Sequence, residues 1–251
     1  MRSTLFKLFG IPIRAYGLML VIGFLVGVHR AARIAKKTGI PPERMWDLGL
    51  VVLAAGVLGA RFVYVILNLK TESLTNFFYL WNGGLSFHGG VAFALLFGWI
   101  FLRRVGIPFW KAADIAAPSA AIGYAITRIG CFLNGFCYGA PTPLPWAVRF
   151  NDHGYITPPS HPTQLYAAVL NGAIFLILTR LERQNHGHGF LFACYMAMYS
   201  VYRFGIEFLR KGYTAQPWIL GLTQAQWVSI AIIVVSLIGI RRILSGDQNQ
   251  R

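Results

Sequence analysis

Apolar residues in this chain come in long runs separated by short polar stretches. Runs of the length that a helix needs to cross a bilayer, roughly 20 residues, occur near 11–28, 46–67, 85–102, 112–133, 164–179, 189–209 and 219–240. The pattern predicts seven membrane-spanning helices. The first run ends without a small-residue cleavage site and six more follow it, so it is expected to remain as a helix rather than serve as a removable leader. The longest polar stretch is 134–163. There Pro141, Pro143, Pro145, Pro158, Pro159 and Pro162 exclude a continuous helix, and several glycines permit tight turns. No repeat, low-complexity segment or linker separates a second domain, so residues 1–251 are expected to form one.

Composition changes this pattern into a class. Only 12% of the 251 residues are charged and 56% are hydrophobic, against about 25% charged in a typical soluble domain. The expectation is an all-α integral membrane protein. The formal net charge of +15 raises nucleic acid as a partner, but the Lys and Arg residues form no continuous basic stripe interleaved with aromatics. They cluster between the apolar runs. Arg30, Arg33, Lys36, Lys37, Arg44, Arg103, Arg104, Lys111, Arg180, Arg183, Arg241, Arg242 and Arg251 fall on one side of the implied membrane. Arg2, Lys7, Arg14, Lys70, Arg149, Arg210 and Lys211 fall on the other. Loops rich in Lys and Arg stay in the cytoplasm, which puts the N-terminus outside, the C-terminus inside and the 134–163 loop on the extracytoplasmic face. Cys131, Cys137 and Cys194 form no CxxC pair and have no accompanying His pattern, which argues against a zinc site or a disulfide framework.

The informative residues are those a membrane span normally avoids. An unpaired charge in hydrocarbon costs at least ~2.5–3.5 kcal/mol on insertion scales, so intramembrane Arg, Glu and His are functional candidates by default. They concentrate in "AYG" (15–17), "WNGGLSFHGG" (81–90), "TRIGCFLNGFCYG" (127–139) and "YRFGIEFLR" (202–210). With "GARFVYV" (59–65), "DIAAPSAAIGYAITRIG" (114–130) and "HPTQLY" (161–166), these stretches resemble the prolipoprotein diacylglyceryl transferase family, in the same order and over nearly the whole chain.

That resemblance implies transfer of a diacylglyceryl group from phosphatidylglycerol to the lipobox cysteine thiol of a bacterial preprolipoprotein, with release of glycerol phosphate. It implies a location in the bacterial cytoplasmic (inner) membrane among membrane lipids, no metal or organic cofactor, and no nucleic acid. The residue chemistry agrees. A phosphodiester that leaves as a phosphomonoester gains charge on its oxygens, and a guanidinium fork is the best clamp for them in a dry site; Arg128 and Arg203 are the candidates. A thiol acceptor, pKa near 8.5, attacks as its thiolate and gains from a nearby base. His88 is the third catalytic candidate, as base or as head-group ligand, and the glycines after it suggest close approach of backbone or substrate.

Tyr16, Arg61, Asn134, Gly139, Glu207 and Arg210 complete the candidate site as substrate-binding residues. Each also has a structural reading. His88 can bond a carbonyl at the interface, and Arg61 can snorkel to the membrane surface. Tyr16 and Tyr166 can belong to an aromatic belt. Glu207, four residues after Arg203, can neutralise it or hold it in position within a network that Arg210 joins. Asp114 is placed to cap the fourth helix.

The opening of "TRIGCFLNGFCYG" departs from the family signature, commonly GRxGNFxNGExxG. Thr127 replaces a glycine, Cys131 an asparagine and Phe136 an acid; Asn82 stands where an acid is common, and Ala167 where one often follows Tyr166. Two other functions therefore stay open beside transfer: a paralogue with another lipid donor or acceptor, and a non-catalytic protein that binds anionic lipid. A transporter would show inverted repeats, which this sequence lacks.

Overall fold

Away from water a backbone satisfies its N–H and C=O groups only within a helix or a closed barrel. The computed structural model describes residues 4–8, 11–69, 73–78, 84–152, 154–210 and 216–248. Each apolar run contains a helix there: α1 (Ala15–Lys37), α2 (Pro42–Leu67), α3 (Phe87–Arg104), α4 (Phe109–Asn134), α5 (Thr163–Leu181), α6 (Phe190–Glu207) and α7 (Gln224–Gln248). Arg2, Lys70, Asn82, Lys211 and Arg251, used above, lie outside the described residues. Five helices, α1, α2, α4, α5 and α7, are long and apolar enough to cross a membrane. The other two have 18 residues each; α3 closes on Arg103 and Arg104, and α6 carries Arg203 and Glu207.

The first and last runs are shifted from expectation. Ile11–Arg14 (β2) pairs antiparallel with Thr4–Leu8 (β1), so the helix starts at Ala15. Pro12 has no N–H to give a helix interior but fits a two-stranded edge. Ahead of α7 the chain turns, the Trp218 N–H donating to the Leu222 carbonyl at 2.8 Å, and the helix begins at Gln224. A second small hairpin, Asn151–Asp152 (β3) with Tyr155–Ile156 (β4), lies within 134–163. Two hairpins thus accompany the expected all-helical architecture.

The chain divides into two compact units, Val28–Ala112 and the remainder, with boundaries inside α1 and α4. In the 28–112 unit α2 and α3 meet at glycines. A Cβ on Gly59 would lie 2.3 Å from the Phe93 Cβ, and one on Gly89 would lie 2.6 Å from the Gly59 carbonyl oxygen. Small residues let membrane helices associate by backbone contact where lipid supplies no hydrophobic drive. Arg61 is only 1% exposed; its Nη1 donates to the Gly84 carbonyl at 3.1 Å and its guanidinium lies 5.5 Å from the Tyr64 ring centre. It therefore does not snorkel. Its hydrogen bond ties the approach to α3 onto α2.

In the larger unit α1 and α4 also touch through glycine: a Cβ on Gly23 would stand 2.6 Å from the Gly123 oxygen, and one on Gly130 would stand 2.7 Å from the Met19 Cβ. Ala121, Ile174, Leu178 and Leu191 form a buried apolar cluster joining α4, α5 and α6. The α6 N-terminus follows Gly189, which has no side chain to cap it. Asp114 supplies the cap from α4, its carboxylate accepting from the Gly189 N–H at 2.6 Å and the Phe192 N–H at 2.9 Å. Asp114 thus caps α6 and not its own helix. At α7, Thr223 and Gln226 form a capping box: Gln226 Oε1 accepts from the Thr223 N–H at 2.9 Å and Thr223 Oγ1 from the Gln226 N–H at 3.3 Å.

Candidate active site

Arg128 stands near the C-terminal end of α4, Arg203 four residues before the end of α6, and Arg210 three residues beyond that helix. All three line one cleft with Cys137, Thr163 and Tyr202. Three guanidiniums converge with no carboxylate among the lining residues, an arrangement suited to an anion with several acceptor oxygens.

Each arginine is held differently. Arg128 Nη2 donates to the Tyr124 hydroxyl, and its guanidinium lies 4.6 Å from that ring's centre. Tyr124 packs edge-to-face on Tyr199, at 5.6 Å between ring centres, and Tyr199 packs on Tyr202 at 5.7 Å. Arg203 Nη1 donates to Glu207 Oε2. The Glu207 side chain is fully enclosed, and its other oxygen accepts from Thr223 Oγ1 at 3.3 Å. The α7 cap therefore anchors the carboxylate that orients Arg203. Arg210 joins them through its backbone N–H, which donates to the Glu207 carbonyl at 3.1 Å.

The segment after α4 brings Cys137 to these cations. Gly135 (φ +84°) turns the chain, and Cys137 itself is left-handed at φ +66°. Thr163 Oγ1 donates to the Cys137 carbonyl and Gln164 Nε2 to the Phe136 carbonyl, both at 2.8 Å. Gly139 then passes so close to the end of α6 that a Cβ would lie 2.5 Å from the Leu209 carbonyl oxygen. Its N–H donates to the His161 carbonyl at 2.9 Å, and it bridges to Arg210. The Cys137 thiol is held below its usual value, chiefly by its hydrogen bond with Cys131; burial opposes the shift, and the Arg128 and Arg210 guanidiniums reinforce it.

The structure gathers Arg128, Arg203, Glu207, Arg210 and Gly139 around this corner. The Asn134 Oδ1 is buried without a hydrogen-bond partner. Tyr16, on the first turn of α1, packs edge-on against Phe136 at 5.2 Å between ring centres, so the residue in place of the family acid is part of an aromatic contact. In the 28–112 unit, His88 is exposed on the first turn of α3, where Ser86 Oγ caps the helix by accepting from the Gly89 N–H at 3.4 Å. The close approach that Gly89 and Gly90 permit is to the α2 backbone, the first of the two alternatives their sequence context left open.

Sequence reading missed Tyr124, Cys137, Thr163 and Tyr202. The recurrence of Tyr195, Tyr199 and Tyr202 at helical spacing was a usable signal for the tyrosine cluster. Cys137 carried none, because its placement depends on two left-handed residues.

Residues 3–242 match the family model described as prolipoprotein diacylglyceryl transferase. The chain belongs to this family. Its relatives include proteins named phosphatidylglycerol–prolipoprotein diacylglyceryl transferase from Solidesulfovibrio magneticus (37% identity, covering 90% of this chain and 89% of the relative) and Geobacter sulfurreducens (36%, 89% and 94%). Another, from Geobacillus kaustophilus, is 37% identical over 90% of this chain and 87% of its own length. With its apolar helices, this member of the transferase family is a multi-pass membrane protein.

Proposed function

We propose that this chain transfers the diacylglyceryl group of phosphatidylglycerol to the lipobox cysteine thiol of bacterial preprolipoproteins and releases glycerol phosphate. The observation that carries the reading is the cleft in which Arg128, Arg203 and Arg210 converge without a lining carboxylate, in a chain of this family. Arg128 and Arg203 bind the phosphodiester. As the acceptor sulfur bonds to the glyceryl carbon and the carbon–oxygen bond to phosphate breaks, the two guanidiniums stabilise the charge gathering on the leaving phosphate. Arg210, Tyr16, Arg61 and Gly139 contribute to substrate binding, and Glu207 fixes the direction of Arg203. The unpartnered Asn134 oxygen takes a head-group hydroxyl. His88 is the remaining catalytic side chain, as proton acceptor or head-group ligand. The displacement exchanges bonds among sulfur, carbon and oxygen with no net redox change, so metal and organic cofactor have no step to perform. Nucleic acid has no place in it.

On this reading residues 1–251 work as one transferase domain in the bacterial inner membrane. Seven spans place the N-terminus outside, the C-terminus in the cytoplasm and residues 134–163 on the outer face, where lipid head group and secreted precursor meet. Purified protein incubated with phosphatidylglycerol and a lipobox peptide should add a diacylglyceryl mass to the peptide and release glycerol phosphate. Lipid binding without that mass gain would overturn the transferase reading. Cysteines introduced at Pro143 and Lys37 should react with an impermeant reagent in intact cells only at position 143; the reverse would invert the topology.

A further inference from the structure

The positive charge of the cleft exceeds the negative charge that its proposed lipid substrate brings. Arg128, Arg203 and Arg210 line it and stay protonated. Glu207, enclosed behind Arg203, offsets one of the three; among the described residues no other carboxylate is paired with these guanidiniums. Arg128 is bonded instead to the neutral Tyr124 hydroxyl. Arg210 is fixed through its backbone, its N–H donating to the Glu207 carbonyl at 3.1 Å and its strand bridged to Gly139. Two positive charges are therefore left for a ligand. A phosphodiester carries one negative charge, whereas a phosphomonoester carries about 1.5 to 2 and offers three acceptor oxygens.

Resting on the transferase reading above for the two anions that meet there, we infer that the cleft is a regulatory site for phosphate dianions. It holds the released glycerol phosphate, or inorganic phosphate, more tightly than the diester head group, and these anions inhibit transfer in competition with lipid. Charge selects the dianion, because a second charge among converging guanidiniums in a half-buried cleft is screened less than one on the surface. Geometry selects it too. Planar forks from α4, α6 and the segment after α6 can engage three free oxygens, whereas a diester has two of its four oxygens blocked by carbon. The other lining groups do not oppose a dianion. The Thr163 hydroxyl is committed to the Cys137 carbonyl, Tyr202 brings a neutral phenol and Ile206 no charge. An arriving anion favours the neutral, donating form of the Cys137 thiol, since like charge nearby disfavours a thiolate.

One position beside the cleft sets this surplus. Phe136 precedes Cys137, its carbonyl is held by the buried Gln164 side chain at 2.8 Å, and its ring packs on Tyr16 at 5.2 Å between ring centres. Tyr16 is in turn within electrostatic reach of Arg128. A carboxylate at 136, where the signature that this chain resembles has an acid, would offset one of the two free charges and leave the cleft matched to a diester. Phenylalanine leaves both. The same surplus favours the charge that gathers on the phosphate as it departs, so tight retention of the product accompanies the clamp that drives the reaction.

Methyl phosphate and dimethyl phosphate differ by one charge and little in size, so the pair isolates the effect. Calorimetric titration uses the full chain in detergent micelles near pH 8, well above the monoester's second pKa of about 6. Methyl phosphate, glycerol phosphate and inorganic phosphate should each bind on the order of tenfold more tightly than dimethyl phosphate, the step that 1.4 kcal/mol produces. In transfer to a lipobox peptide they should raise KM for phosphatidylglycerol and leave kcat unchanged. Phe136→Glu and Arg210→Gln should each bring the monoester-to-diester ratio close to one, while the uncharged Phe136→Gln should keep the wild-type ratio. Equal binding of the two probes by wild type, a ratio that neither charge variant alters, or the same loss in Phe136→Gln would overturn the inference. Phosphatidate in the micelles supplies a lipid-borne monoester: competition by it alone, with the soluble phosphates inert, would assign the effect to the lipid surface and overturn the soluble-anion site. Binding is read without turnover. A monoester preference in a protein that does not transfer sinks the transferase reading and leaves the dianion site, whereas transfer without the preference removes the dianion site alone.

Discussion

Two glycine-punctuated stretches, "SFHGG" at 86–90 and "RIGCFLNGFCYG" at 128–139, read alike as sequence and behave differently in the fold. In the first, Gly89 and Gly90 face the α2 backbone, with the Gly59 and Gly56 carbonyls 2.6 and 3.0 Å from where their Cβ atoms would be. The glycines there are helix-packing surface, and His88 is exposed beside them. In the second, Gly135 turns the chain and Gly139 passes the end of α6, so that Cys137 and Arg210 enter one cleft with Arg128. A glycine beside a polar residue thus signals close approach without saying what approaches. The partner decides whether stability or catalysis depends on it.

The largest expected effect removes the anion clamp. Arg128→Ala and Arg203→Ala should each lower transfer by about a thousandfold, since a charged ligand in a dry site contributes a few kcal/mol and 1.4 kcal/mol is already tenfold. Lysine at either position should restore only part of the rate, lacking the planar fork. Initial rates at matched protein concentration check this, and full activity in either alanine variant would take that residue out of the site.

The contrast between the two glycine stretches is tested next. Gly139→Ala sets a methyl 2.5 Å from a backbone oxygen and should displace Arg210 and Cys137, reducing transfer by about ten- to a hundredfold, as expected for misplacements near 1 Å. Gly89→Ala should instead lower thermal stability by the roughly 1–3 kcal/mol typical of overpacking, with a smaller effect on rate per folded molecule. Melting curves beside initial rates separate the two, and a reversal of the pattern would break the comparison.

Smaller effects concern the groups that position the arginines. Tyr124→Phe deletes the acceptor for Arg128 while keeping the ring beneath it, and should cost several-fold in rate, in keeping with roughly 1 kcal/mol for one hydrogen bond. Asp114→Ala leaves the α6 N-terminus without its cap at a cost of about 1 kcal/mol, visible as a lower melting temperature with little change in rate. An Asp114 variant that melts normally would contradict the capping assignment.

Long apolar runs determined that the chain is helical and membrane-bound, because hydrocarbon leaves a backbone few other ways to pair its polar groups. The helix centres follow from that requirement alone. The ends did not: Pro12 turned the start of the first run into a strand, and a turn at 218–222 delayed α7. Intramembrane cost singled out Arg128, Arg203 and Glu207, and the spacing of the last two foretold their ion pair. Which helix Asp114 would cap and which backbone would fill the space beside Gly89 were decided by helices distant in sequence, and whether Arg61 would reach the surface by the carbonyl of Gly84 ahead of α3. Cys137 is the extreme case. Its position among three arginines comes from two left-handed residues and two buried side chains holding consecutive carbonyls, and only the tertiary fold brings those constraints to one place.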